Sequence, residues 1–130
     1  MESLNSGCTF AGVQAGGAIT LGDSNTGALV FDSSGDTVII GNDGSGGQAS
    51  GIVTIMGTSI TLNDAIKTKG GNVSLTSTVG AISAISDANI TTSADVNTAT
   101  ASGAVTVNAA NGVTLQNITT TGADNALSTS

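Results

Sequence analysis

The chain has 130 residues and a formal net charge of −7; Thr, Gly, Ser and Asn supply 66 of them, only 8% are charged, and His, Trp, Tyr and Pro do not occur. Without His there is no Ser-His-Asp or Cys-His pair and no side chain that titrates near neutrality of its own accord. The only cations, Lys67 and Lys69, are too few to neutralise a nucleic-acid backbone, which the net charge also repels.

The length fits one domain. Its Ile, Val, Leu and Phe content, together with the scarcity of charge, places the chain among folding sequences. No run of apolar residues is long enough to form a transmembrane helix, and the aromatic girdles of an outer-membrane barrel have no Trp or Tyr to build them. Neither nucleic acid nor a membrane interior is therefore expected as a partner.

Residues 1–14 differ from everything that follows and read as an N-terminal cap or irregular lead-in, with Cys8 and Phe10 covering the first repeat. Met1-Glu2-Ser3-Leu4-Asn5 lacks the basic region and apolar stretch of a signal peptide, so the sequence reads as a piece of something longer. Asn5-Ser6-Gly7-Cys8 has no hydrophobic segment before it, and Cys8 reads as a small packed or end residue rather than a lipidated one. From residue 15 to 130, short apolar-x-apolar pieces recur, each closed by Gly, Asn or Asp. In chain order they are Ile19-Thr20-Leu21, Leu29-Val30-Phe31, Val38-Ile39-Ile40, Val53-Thr54-Ile55, Ile60-Thr61-Leu62, Val73-Ser74-Leu75, Val105-Thr106-Val107 and Val113-Thr114-Leu115. Single anchors at Ile66, Ile82, Ile90, Val96 and Ile118 stand between them. Alternation with period two is the strand signal, and no apolar stripe at helical spacing persists.

The anchors fall into three columns that advance together by about 22 residues. Ile19, Val38, Ile60, Ile82 and Val105 form the first; Ile66, Ile90 and Val113 the second; Leu29, Val53, Val73, Val96 and Ile118 the third. The expected fold is all-β: a right-handed parallel β-helix, or β-solenoid, of about six coils of ~22 residues with three strands per coil. Six coils spaced ~4.8 Å apart make a rod about 29 Å long. The lack of Pro fits, because nearly every N–H is needed by a ladder.

Gly17-Ala18-Ile19-Thr20-Leu21, Gly70-Gly71-Asn72-Val73-Ser74-Leu75-Thr76-Ser77 and Gly103-Ala104-Val105-Thr106-Val107-Asn108-Ala109-Ala110-Asn111-Gly112-Val113-Thr114-Leu115 resemble the repeats of filamentous-haemagglutinin-type adhesins, with autotransporter passengers as close relatives. The resemblance covers roughly residues 15–122. It implies an extracellular, bacterial-surface rod that spaces or displays binding surfaces and has no catalytic centre. Its partners would be host or neighbouring-cell surface molecules.

Three residue sets compete with that reading. Asp23, Asp32, Asp36 and Asp43 lie beside Gly-rich turns, and Gly41-Asn42-Asp43-Gly44-Ser45-Gly46-Gly47 resembles one degenerate copy of a Ca²⁺-binding nonapeptide. Asp36 and Asp43 are thus weak Ca²⁺ candidates, set against corner-forming Asp. Asp32 and Asp36 form a carboxylate pair of the kind glycoside hydrolysis uses, but without aromatic platforms or a basic partner beside them, so no enzyme is expected. Thr76/Thr78, Thr98/Thr100 and Thr119/Thr121 resemble an ice-binding Thr ladder, yet their offsets from the anchors differ by one residue each time, which alternates the face. Lys67 and Lys69 read as solvated edge charges. The C-terminus, Asn125-Ala126-Leu127-Ser128-Thr129-Ser130, reads as an end left open in mid-coil. Two functions follow: a segment of an adhesive rod, or a subunit whose copies stack head to tail into an extracellular fibre. No cofactor is expected for either.

Overall fold

The computed structural model of the protein describes residues 7–10, 17–32, 51–68, 70–85, 87–93 and 101–122. Every regular element among them is a strand: β1 (Cys8–Phe10), β2 (Ile19–Leu21), β3 (Leu29–Phe31), β4 (Val53–Gly57), β5 (Ile60–Leu62), β6 (Ile66–Lys67), β7 (Val73–Ser77), β8 (Ile82–Ala84), β9 (Ile90–Thr91), β10 (Val105–Ala109), β11 (Val113–Thr114) and β12 (Ile118–Thr119). The expectation of an all-β chain holds over these residues. β-Branched side chains favour extended backbone, and Gly or Asn interrupts the runs while they are still short. Within the segment expected as a cap or lead-in, Cys8–Phe10 forms a strand paired in parallel with β3. The rest of segment 1–14 apart from Gly7 lies outside the described residues, as do Val38, Val96 and the C-terminal segment from Asn125 to Ser130.

The strands form three sheets in which all pairings are parallel. The first has the order β2-β4-β7-β10, the second β1-β3-β5-β8-β11 and the third β6-β9-β12. From β4 onward the chain visits first, second and third sheet in that order, three times in succession. One such traverse is termed a pass. Parallel neighbours cannot be joined by a tight hairpin, and here the other two sheets supply the connection.

The registers match the anticipated columns in the middle of the chain and depart from them on either side. Val53 faces Val73, Ile60 faces Ile82 and Ile66 faces Ile90, all at or close to the anticipated period. Beyond them the columns slip by one sheet. Val105 faces Val73 rather than Ile82, Val113 faces Ile82 rather than Ile90, and Ile118 faces Ile90 rather than Val96. On the other side Ile19 faces Val53 and Leu29 faces Ile60, so that these steps are much longer than the middle ones. A uniform period therefore does not describe the whole chain.

One corner shows the physical reason. After β6, Thr68 Oγ1 donates to the Gly71 carbonyl, three residues on, at 2.5 Å. After β9, Thr92 Oγ1 makes the same bond to the Gly103 carbonyl at 2.6 Å, but eleven residues on. Gly103 N–H also donates to the Thr92 carbonyl at 3.0 Å. The residues that close this corner are thus three positions apart in one pass and eleven in the next, and hydrogen bonding and apolar packing set the register. Spacing alone does not set it.

Burial alternates along the strands. In β4 and β7 every second residue is buried (Val53, Ile55, Gly57; Val73, Leu75, Ser77) and those between are half-buried. The inward residues stack on their own kind, as in Leu29–Ile60–Ile82 and Ile55–Leu75, and join one aliphatic core. Fully burying each such side chain contributes about 1.5–3 kcal/mol. Where the first sheet turns toward the second, Gly57 gives way to Ser77, whose hydroxyl lies 2.6 Å from the Gly80 carbonyl and 3.0 Å from that of Thr58. At Gly103 the backbones approach so closely that a Cβ would run into the Gly71 carbonyl.

Candidate binding surface

The inward columns are spent on the core, so any recognition falls to the outward residues between them. In the first sheet these are Thr20, Thr54, Ser74 and Thr106, aligned one on the next. In the second the column is Thr9, Val30, Thr61, Ser83 and Thr114. In the third it is Lys67, Thr91 and Thr119. The first sheet therefore carries hydroxyls repeating at the strand spacing of about 4.8 Å, with a branched methyl beside each Thr hydroxyl, while Val30 interrupts the second column and Lys67 stands at one end of the third. Thr20 and Thr106 are exposed, while Thr54 and Ser74 are half-buried between their neighbours. Such a face offers hydrogen-bond donors and acceptors with no charge, apart from exposed Lys67 on the third sheet.

The Thr-x-Thr pairs, whose shifting offsets argued against one flat ladder, lie in different sheets where their strands are described. Thr76 lies in the first sheet between Met56 and Asn108, whereas Thr119 lies in the third beside Thr91. Thr98 and Thr100 fall outside the described residues. The sequence reading missed the actual hydroxyl columns although their signal was present: they are the middle residues of Ile19-Thr20-Leu21, Val53-Thr54-Ile55 and the pieces like them.

Two of the carboxylates, Asp23 and Asp32, are bound into local structure. Asp23 Oδ1 accepts from the Asn25 N–H at 2.8 Å and from the Thr26 hydroxyl at 3.1 Å, a side-chain-closed turn. Asp32 Oδ2 accepts from Asn63 Nδ2 at 3.2 Å, linking equivalent positions after β3 and β5. Asp87 takes a positive φ of 75° at a tight corner. Asp36 and Asp43, the Ca²⁺ candidates, and hence the Asp32/Asp36 pair, lie outside the described residues, and so does Lys69. Among the described residues no group of three or more Cys, Asp or Glu is placed to hold a metal ion.

Asn side chains tie the corners of successive passes together. Asn72 Oδ1 accepts from the Ala104 N–H at 2.8 Å, and Asn89 Oδ1 from the Asn117 N–H at 3.2 Å. Cys8, half-buried, packs against the core in the same column as Leu29. Compared with known proteins, the chain matches no family model, no curated protein and no solved structure.

Proposed function

We propose that the chain is a structural and adhesive segment of an extracellular bacterial surface protein, a rigid rod that spaces or displays binding surfaces. The three sheets, visited in fixed order, are taken to close into a right-handed parallel β-helix, the hand that parallel crossovers adopt almost without exception. In this reading the shortest coil runs from Val53 to Val73, and longer coils carry excursions at their corners. The observation that carries the reading is the continuity of the stack: one inward column runs Cys8, Leu29, Ile60, Ile82, Val113 across five strands while hydroxyls line the outside. A stack held by backbone ladders and aliphatic columns is stiff along its axis and leaves its outer faces free for host or neighbouring-cell molecules.

Adhesion of coated beads tests this. Beads carrying the chain should adhere to cell monolayers above albumin-coated controls. Adherence should fall when Thr54→Lys and Thr106→Lys disrupt the hydroxyl column of the first sheet. Equal adherence of chain-coated and albumin-coated beads would count against the adhesive role.

A second reading is favoured by a specific feature of the last pass. The outer edges of β10, β11 and β12 pair with no strand among the described residues, and Val113 and Ile118 are 49% and 45% exposed although their columns are fully buried one pass earlier. That is the surface a head-to-tail fibre subunit would use.

A further inference from the structure

We infer that a second copy of this chain docks on the last pass by parallel strand addition, its β1 pairing with β11 so that its Cys8 lies opposite Val113. This rests on the fibre-subunit reading and fixes its register. Two observations carry it. First, β1 and β11 are the two edges of one sheet among the described residues and present the same inward column, so Val113 followed by a partner's Cys8 continues the series Cys8, Leu29, Ile60, Ile82, Val113 without a break. Second, natural sheet edges are commonly blunted by charge or Pro, yet residues 101–122 contain neither, and residues 7–10 contain neither. The charged side chains of the chain all lie elsewhere. A contact that joins opposite ends of the molecule is heterologous and does not close, so it propagates.

Cysteine cross-linking of Val113→Cys tests the register. Within one molecule Cys8 and position 113 are four strand spacings apart. At ~4.8 Å each this is about 19 Å, well beyond the ~7 Å that a disulfide spans between Cα atoms. A bond between them forms only between copies. On mild oxidation V113C should give a reduction-sensitive ladder of trimers and higher species, whereas the wild type, with its single Cys, stops at dimers. Thr114→Cys, which faces outward, should give no such ladder. The wild type offers a check that needs no variant: alkylation of Cys8 by iodoacetamide should slow as protein concentration rises, because the partner's β11 covers it.

Negative-stain microscopy of the wild type separates the two levels of the claim. If fibres form while V113C yields nothing above dimers, this register is overturned and stacking stands. If the wild type forms no fibres at any concentration and Cys8 reactivity does not change, the stacking reading and the register both fall.

Discussion

Leu75 is fully buried between Ile55 and Val107, its neighbours in the strands on either side. Truncating it opens a cavity that two ladders of backbone hydrogen bonds prevent from collapsing. Leu75→Ala should lower the unfolding free energy by about 2–5 kcal/mol in urea titrations followed by far-UV circular dichroism. Val113→Ala, at a half-exposed site, should cost under about 1 kcal/mol. Equal losses at the two positions would mean that the last pass is as well covered as the middle one. Thr68 belongs to the same scale. Its hydroxyl is buried and serves the Gly71 carbonyl. Thr68→Val keeps the shape, removes the donor and should cost about 1–3 kcal/mol, against less than about 0.5 kcal/mol for Thr54→Val on the outer face. Which residues point inward was legible from the sequence, since each apolar-x-apolar piece carries its own alternation. Thr68 and Thr92 continue the alternation begun two residues earlier by the anchors Ile66 and Ile90, but a polar side chain carries no signal of its own that the strand phase persists past the anchor.

Among elements, β7 is a test of what sequence periodicity conveys. It pairs with β4 on one side and β10 on the other over its full length, so Val73 has Val53 and Val105 as its neighbours. Of these, the first lies close to the expected period along the chain and the second well beyond it. The pieces Val53-Thr54-Ile55, Val73-Ser74-Leu75 and Val105-Thr106-Val107 were all recognisable as strands. The period that joined them was not uniform, because a corner tolerates insertion as long as its closing hydrogen bonds are kept, and loop lengthening costs only ~0.6 kcal/mol per doubling. Val96 and Val38 lie outside the described residues, and the strands on either side of them pair one sheet away from the columns expected. Gly103→Ala should be disruptive for a related reason: its added methyl meets the Gly71 carbonyl at the point where the two passes touch. Thermal melts should show a large loss for Gly103→Ala and little change for Gly17→Ala, where a Cβ meets open space.

For the whole molecule, charge and end chemistry act in opposite directions. A net charge of −7 keeps copies apart, while the last pass presents an apolar edge free of charge. Raising the salt from about 0.01 M to about 1 M shortens the screening length from ~30 Å to ~3 Å and should promote end-to-end association, read as a rise in sedimentation coefficient. A fall in association with salt would place charged contacts at the junction.

The register in which β10 follows β7 is tested most directly by a deletion. Removing residues 94–101 and making Ser102→Gly leaves Thr92 and Gly103 in the same spacing as Thr68 and Gly71, with Gly at the position where Gly70 has a φ of 91°. If β10 pairs with β7 and the deleted residues only leave and rejoin a corner, the shortened chain should keep its β-type circular dichroism and melt cooperatively within about 5 °C of the full one. If Val96 instead anchors a strand of its own beside Val73, the deletion removes that strand, and loss of the cooperative melt would contradict the register.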